Sequence, residues 1–286
     1  MTATNIDQRS RLEPRPLPLD PPVTRRRTAN MSPLSLYNFI TSLLIALVPL
    51  GSAIPAPERP LSIPGPPAEP RPRPGDGSGR YNSDGFCGPN DYRVHATLQA
   101  GVAYFSLRGR YQAARAMNHY LAESGEDLSV NVDLMMEDTP AFMQEAHQLA
   151  GKMAKDKIES TVGPWTQMDF RSGWTIWNAW NDAKKEPHSY DWYYALGEYS
   201  YAVAGVVSQQ EGGGKNLKYK VHVFDRYNWD SSNKSNTFGW GAVSLSHAEI
   251  GHLHQCGSAR EYKIRGSSKT YTVNNYDPNK PLPPPK

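Results

Sequence analysis

The stretch "YDWYYALGEYSYAVAGVVSQQEGGGKNLKYKVHVFDRYNWD", residues 190–230, decides the fold class. Aromatic and β-branched residues crowd both sides of a Gly-rich centre, a composition suited to pleated, half-buried strands. By pattern, residues 190–208 and 217–225 form two strands. The intervening "QQEGGGKN" is longer than a two-residue turn, so it predicts a flexible antiparallel connection. All seven tryptophans fall between Trp165 and Trp240, which extends this aromatic half. Trp174, Trp177 and Trp180 recur every three residues, as on a helix face, although Thr175 and Ile176 suit a strand; the spacing tips the reading to helix.

The preceding half has helical periodicity. In "DYRVHATLQAGVAYFSLRGRYQAARAMNHYLAES", residues 91–124, Val94, Leu98, Val102, Phe105, Tyr111, Ala114, Met117 and Leu121 recur mostly at steps of three and four. Gly101 and Gly109 weaken one continuous helix and predict two, and Gly125 supplies a stop. Thr139 as N-cap and Pro140 at the first helical position start another helix through Phe142, Ala146, Leu149 and Met153. After the strands, Ser246-His247-Ala248-Glu249 has the form of a capping box that opens a short helix carrying His252 and His254. The expected fold is α+β, with N-terminal helices packed on a mainly antiparallel, aromatic-rich sheet and one short late helix.

Composition divides the chain unevenly, because 16 of its 25 prolines precede residue 81. Residues 1–53 form an N-terminal extension and a signal peptide or signal anchor: an apolar run, residues 34–53, follows Arg25, Arg26 and Arg27 and ends in small residues. The arginines hold that end in the cytoplasm and send the rest across the membrane. Pro49 shortens the apolar core below the roughly 20 residues of a span, which favours cleavage and a secreted, extracellular product. The alternative is a single-pass protein with its C-terminal domain outside, touching the membrane through residues 34–53 only.

Residues 54–80, with nine prolines, read as a disordered spacer; residues 81–276 as one domain; residues 277–286 as a Pro-rich tail. Six Arg and three acidic residues fall in residues 1–53, leaving 25 basic and 25 acidic residues beyond. The exported part is therefore neutral, which excludes the basic footprint of a nucleic-acid binder. Its partner is an unknown target outside the producing cell. Cys87 and Cys256 are expected to form a disulfide in an oxidising compartment, and Asn233-Lys234-Ser235 is a glycosylation sequon.

Candidate chemistry centres on "VHVFDRYNWD", residues 221–230. A strand ending in Asp225, Arg226 and Asp230 presents carboxylates and a guanidinium at a sheet rim, where clefts form. Such an Asp serves as base or nucleophile, with His252 or His254 as acid if the fold brings them together. A structural reading competes: an Asp-Arg pair beside Tyr227 and Trp229 fixes sheet corners by bidentate, stacked bridges. His252 and His254 lie two apart on a helix and point to different faces, so no helical zinc pair, and no cofactor, is predicted. Nucleophile-elbow and phosphate-loop patterns are missing from the sequence.

Several phrases together, "HYLAESGEDLSV", "YDWYYALGEYSYAVAG", "HVFDRYNWD" and "LHQCGSAREYKIRGSS", resemble an uncharacterised C-terminal module of bacterial rearrangement-hotspot (Rhs) and polymorphic-toxin-type secreted proteins. The similarity spans about residues 119–268. Trp192, Tyr193, Tyr194, Asp225, Arg226, Tyr227, Asn228, Trp229, Asp230, His254, Arg260 and Glu261 match its pattern; Ser258 departs from it and Cys256 lies outside it. The resemblance implies a secreted toxin-like effector and carries no mechanism. It nominates Asp225, Arg226, Asp230, His254, Arg260 and Glu261 as a polar, catalytic cluster, and Trp192, Tyr194, Tyr227, Asn228 and Trp229 as binding residues. An Asp225 or Asp230 contact to Arg260 or His254 across the sheet is expected. A non-catalytic extracellular module contacting glycan or protein, and a secreted hydrolase unrelated to toxicity, are the other readings.

Overall fold

A computed structural model describes residues 62–73, 76–183 and 189–283. The expected signal segment lies outside them. No helix among the described residues is long and apolar enough to cross a membrane.

Helix α1 (Pro89–Leu107) starts with Pro89 at its first position, and the Gly88 amide donates to the Asp91 carboxylate at 2.7 Å. Gly109, at φ 70°, turns the chain into α2 (Tyr111–Leu121), so the one periodic stretch is two helices as expected. A short strand β1 (Leu128–Ser129) leads to α3 (Val132–Asp138), capped by Asn131, and α4 (Pro140–Ser160), which Thr139 and Pro140 open. Strands β2 (Gln167–Arg171) and β3 (Thr175–Asn178) precede two short helices, α5 (Trp180–Ala183) and α6 (Tyr190–Leu196). The long hairpin β4 (Glu198–Gln209) and β5 (Lys215–Tyr227) follows, then β6 (Thr237–Trp240), β7 (Val243–Ser246), α7 (His247–Cys256), β8 (Tyr262–Ser267) and β9 (Tyr271–Val273).

Seven strands form one sheet, in the order β1-β8-β5-β4-β2, with β3 also beside β4 and β9 beside β5. Among the described residues, β1–β8 is the only parallel pair of this sheet. The fold is thus α+β with a mainly antiparallel, aromatic-rich sheet. In the central hairpin Tyr201 pairs with Val223 and Val203 with Val221. By alternation these residues share a face. Phe142 of α4 meets that face edge-on, its ring 5.2 Å from Tyr199 and 5.3 Å from Tyr201. Met135, Met136 and Ala146 complete the buried layer.

Two local expectations are corrected. Residues 190–196, expected as strand, form α6, because a tertiary role overrides their aromatic pattern: the Asp191 carboxylate accepts from the amides of Gln112 (3.0 Å) and Ala113 (2.8 Å), capping α2 from outside. Gly197, at φ 67°, then separates helix from strand. The Trp174–Trp180 run is not one helix: Trp177 lies in β3, and Trp180 opens α5.

Part of the Pro-rich stretch read as a spacer is fastened to the sheet. The Trp174 indole donates to the Ala68 carbonyl at 2.8 Å, and Glu69 pairs with Lys263 at 2.9 Å and with Arg265. Arg226 donates to the Pro70 carbonyl, and Ser78 lies buried against Trp229 and Glu261. Polar side chains on the outward side of β5 and β8 thereby gain partners in an extended strap, for which prolines suit the backbone. The strap ends at Cys87, which is disulfide-bonded to Cys256 of α7 with a Cα–Cα distance of 5.0 Å. At the other end of the domain, the Tyr276 hydroxyl donates to the Gly151 carbonyl of α4 at 2.9 Å.

Candidate functional site

Where β4 begins and β5 ends, the sheet rim opens into a cleft of about 790 Å³. Three structures wall it. The strap contributes Arg71, Arg73 and Asp76; α5 and α6 contribute Trp180, Tyr190, Tyr193 and Tyr194; β6 and the start of α7 contribute Phe238 and His247. Asp225, Arg226, Tyr227, Asn228, Trp229 and Asp230 all line it as well, so the end of β5 contributes a run of consecutive lining residues.

Asp225 sits deep in this cleft with its side chain partly open to it. Burial pushes its carboxyl up to about 8, helped by the charges of Asp76 and Glu198 and opposed by the Arg226 amide and guanidinium. Asp225 is therefore largely a neutral acid at pH 7. Asp230 is its opposite: the Ser232 hydroxyl donates to it at 2.6 Å and the Ser232 amide at 2.9 Å, holding this exposed carboxyl below the usual range and ionised. His247 stands edge-on to Trp229, ring centroids 5.0 Å apart. Burial lowers its pKa, while Asp230 pulls the other way, so the ring is poised as a neutral acceptor.

Arg226 does not bridge Asp225. It reaches Asp76 of the strap at 3.8 Å and lies over the Phe224 ring at 4.9 Å. Asn228 donates to the same Asp76 at 2.6 Å. The strap is thus part of the site's frame.

His254, Arg260, Glu261 and Trp192, also nominated, stand outside the cleft lining. Glu261 accepts from the Trp229 amide at 3.0 Å and the Ser78 amide at 2.9 Å. The His254 Nδ1 accepts from the Glu261 amide at 3.0 Å, and Arg260 stacks 4.7 Å over Tyr81. These three hold the strap and β8 to α7. The expected contact of Asp225 or Asp230 with Arg260 or His254 does not form; Asp225 faces Ile264 across the ladder. Trp192 is fully buried and donates to Asp138 at 2.8 Å, whereas Tyr194 does line the cleft. Asn233 lies in the turn after β5, its side-chain oxygen accepting from the Ser235 and Asn236 amides.

Sequence reasoning missed His247, Asp76 and, of the α6 tyrosines, Tyr190 and Tyr193. His247 was hidden inside its own signal. A capping box is defined by its ends, here Ser246 and Glu249, which bond reciprocally at 3.2 and 2.9 Å, and the residues between them carry no signal of their own. The residue just after an N-cap projects from the helix start, and here that start abuts the end of β5. Gly251 permits the approach, since a Cβ there would collide with Ser78 Oγ and the Trp229 carbonyl.

Two carboxyls with opposite ionisation, a neutral imidazole and an aromatic wall share one cleft. Such a set supports proton donation and withdrawal on a bound polar substrate.

No family model and no curated protein matches the chain. Solved bacteriocin structures show a partial likeness. PaeM, a colicin M-like bacteriocin produced by Pseudomonas aeruginosa, is 16% identical, with 57% of this chain and 50% of that chain covered at a TM-score of 0.31. Syringacin M from Pseudomonas syringae pv. tomato DC3000 is 15% identical, covering 57% and 52% at 0.29. Pectocin M2 is 21% identical, covering 58% and 54% at 0.28. The chain spans about half the length of these structures.

Proposed function

We propose that this chain is an exported, toxin-like effector enzyme whose cleft carries out acid–base hydrolysis of a polar target outside the producing cell. The observation that carries the reading is the convergence of Asp225, Asp230 and His247 on one cleft. Protonated Asp225 is the general acid, and it donates to the leaving group. His247, oriented by Trp229 and beside the Asp230 charge, accepts the proton of the attacking water. The aromatic wall and the strap arginines position the substrate. Export and the toxin context rest on the signal-like segment and on the resemblance of the DRYNWD phrases.

Expression of residues 62–286 in bacterial cytoplasm and, separately, periplasm tests this reading, beside Asp225→Asn and His247→Ala variants. Toxicity in one compartment, lost in variants that keep the wild-type melting temperature, is the expected result. A harmless wild type in both compartments, or toxic variants, overturns it. Exposed Ile176 and Trp180 in the cleft wall favour a second reading, a non-catalytic docking surface for glycan or protein. On that reading Asp225→Asn retains the biological effect and Trp180→Ala abolishes it.

A further inference from the structure

Away from the cleft, α7, the start of α1 and the strap meet around the disulfide. There the ligand atoms of Asp91, His252 and Cys256 lie within 4.8 Å of one another, and Cys87 is bonded to Cys256. The surroundings are organised as those of a metal site are. His252 Nδ1 faces Asp91 Oδ1 at 2.7 Å, while its other nitrogen, Nε2, lies 3.1 Å from Asp84. A carboxylate on the remote nitrogen fixes the tautomer and orientation of a ligating imidazole. The Gly88 amide donates to the second oxygen of Asp91, so the first, Oδ1, is the one turned to His252 Nδ1 and the one that would ligate beside it.

We propose that reduction of the Cys87–Cys256 bond converts this cluster into a binding site for a zinc-type divalent cation, with Cys87, Cys256, His252 and Asp91 as ligands. Two thiolates, an imidazole and a carboxylate are a four-ligand tetrahedral set suited to zinc. Ligand atoms around tetrahedral zinc stand roughly 3.3 to 3.8 Å apart, so on binding the His252–Asp91 pair, 2.7 Å apart, opens while the sulfur ligands draw in. The S–S bond takes up two electrons and two protons from a dithiol, which is itself oxidised to a disulfide; the metal then displaces the thiol protons. Disulfide and metal are mutually exclusive, because a sulfur in the S–S bond offers no thiolate. The chain would thus carry one staple in an oxidising compartment and another in a reducing one. This proposal is independent of the acid–base reading of the cleft.

Cobalt(II) titration of the full-length protein tests it, with and without a water-soluble phosphine that reduces the disulfide and is itself oxidised to the phosphine oxide. The expected result is one cobalt per reduced chain, with thiolate-to-cobalt charge-transfer absorption and tetrahedral visible bands, displaced by zinc, and none in the oxidised chain. His252→Ala and Asp91→Asn abolish the tetrahedral spectrum; Asp84→Asn weakens binding about 10- to 100-fold. If reduction loosens the fold, cobalt restores its near-ultraviolet circular dichroism. A reduced chain without the charge-transfer band, variants that bind like wild type, or a loosened fold that cobalt leaves unrestored each overturn the proposal.

Discussion

Asn228 donates to Asp76 at 2.6 Å, which joins the end of β5 to a Pro-rich segment about 150 residues earlier in the chain. The same carboxylate faces Arg226, so one strap residue holds two members of the DRYNWD packet and adds negative charge near Asp225.

Asp76→Ala is expected to loosen the strap at a cost of about 1 kcal/mol, the scale of a part-exposed hydrogen bond with a weak ion pair. It also removes a charge that raises the Asp225 pKa. The basic limb of the activity profile should therefore move to lower pH, measured with the variant and wild type under the same buffer series.

Asp225 ties stability to pH. Its carboxyl titrates near 8 when folded and near 3.9 when unfolded. Between those values the folded state holds a proton that the unfolded chain has released, so this carboxyl's contribution to stability is greatest below about pH 4 and declines towards pH 8, then levels off. The decline is at most about 1.4 kcal/mol per pH unit. Asp225→Asn removes this dependence, and urea melts at pH 5 and pH 9 should show the variant gaining on wild type at the higher pH.

Glu261 is predicted to be structural. Its carboxylate accepts from the amides of Ser78 and Trp229, and Glu261→Ala leaves both without that partner at a cost of about 1–3 kcal/mol. Chemical denaturation should register this, while activity per folded molecule persists below the shifted midpoint.

Phe142→Ala empties the contact between α4 and the sheet. A loss of about 3–5 kcal/mol is expected, read as a lower midpoint with an unchanged slope in urea.

The fold class was legible because its signals were local. Pro140 and the Ser246 box start helices where their chemistry requires, and the β4–β5 hairpin follows its composition. Residues 190–196 were misread because their helix depends on Asp191 capping α2, a contact 79 residues away for the Gln112 amide. The site was half legible. Asp225 and Asp230 lie together on one strand end, but His247 and Asp76 arrive by tertiary routes that carry no spacing signal. His254, Arg260 and Glu261 stand out in sequence for the same polarity that, once folded, is spent on fastening.

The Cys87–Cys256 bond, 169 residues apart in sequence, makes most of the folded chain a closed ring from which the strap leaves as a tail. A protease or a pulling force acting on that tail meets its hydrogen bonds one after another, while the covalent ring holds the hairpin and α7 together. The cleft can accordingly lose one wall by peeling, with the remainder of the molecule still closed.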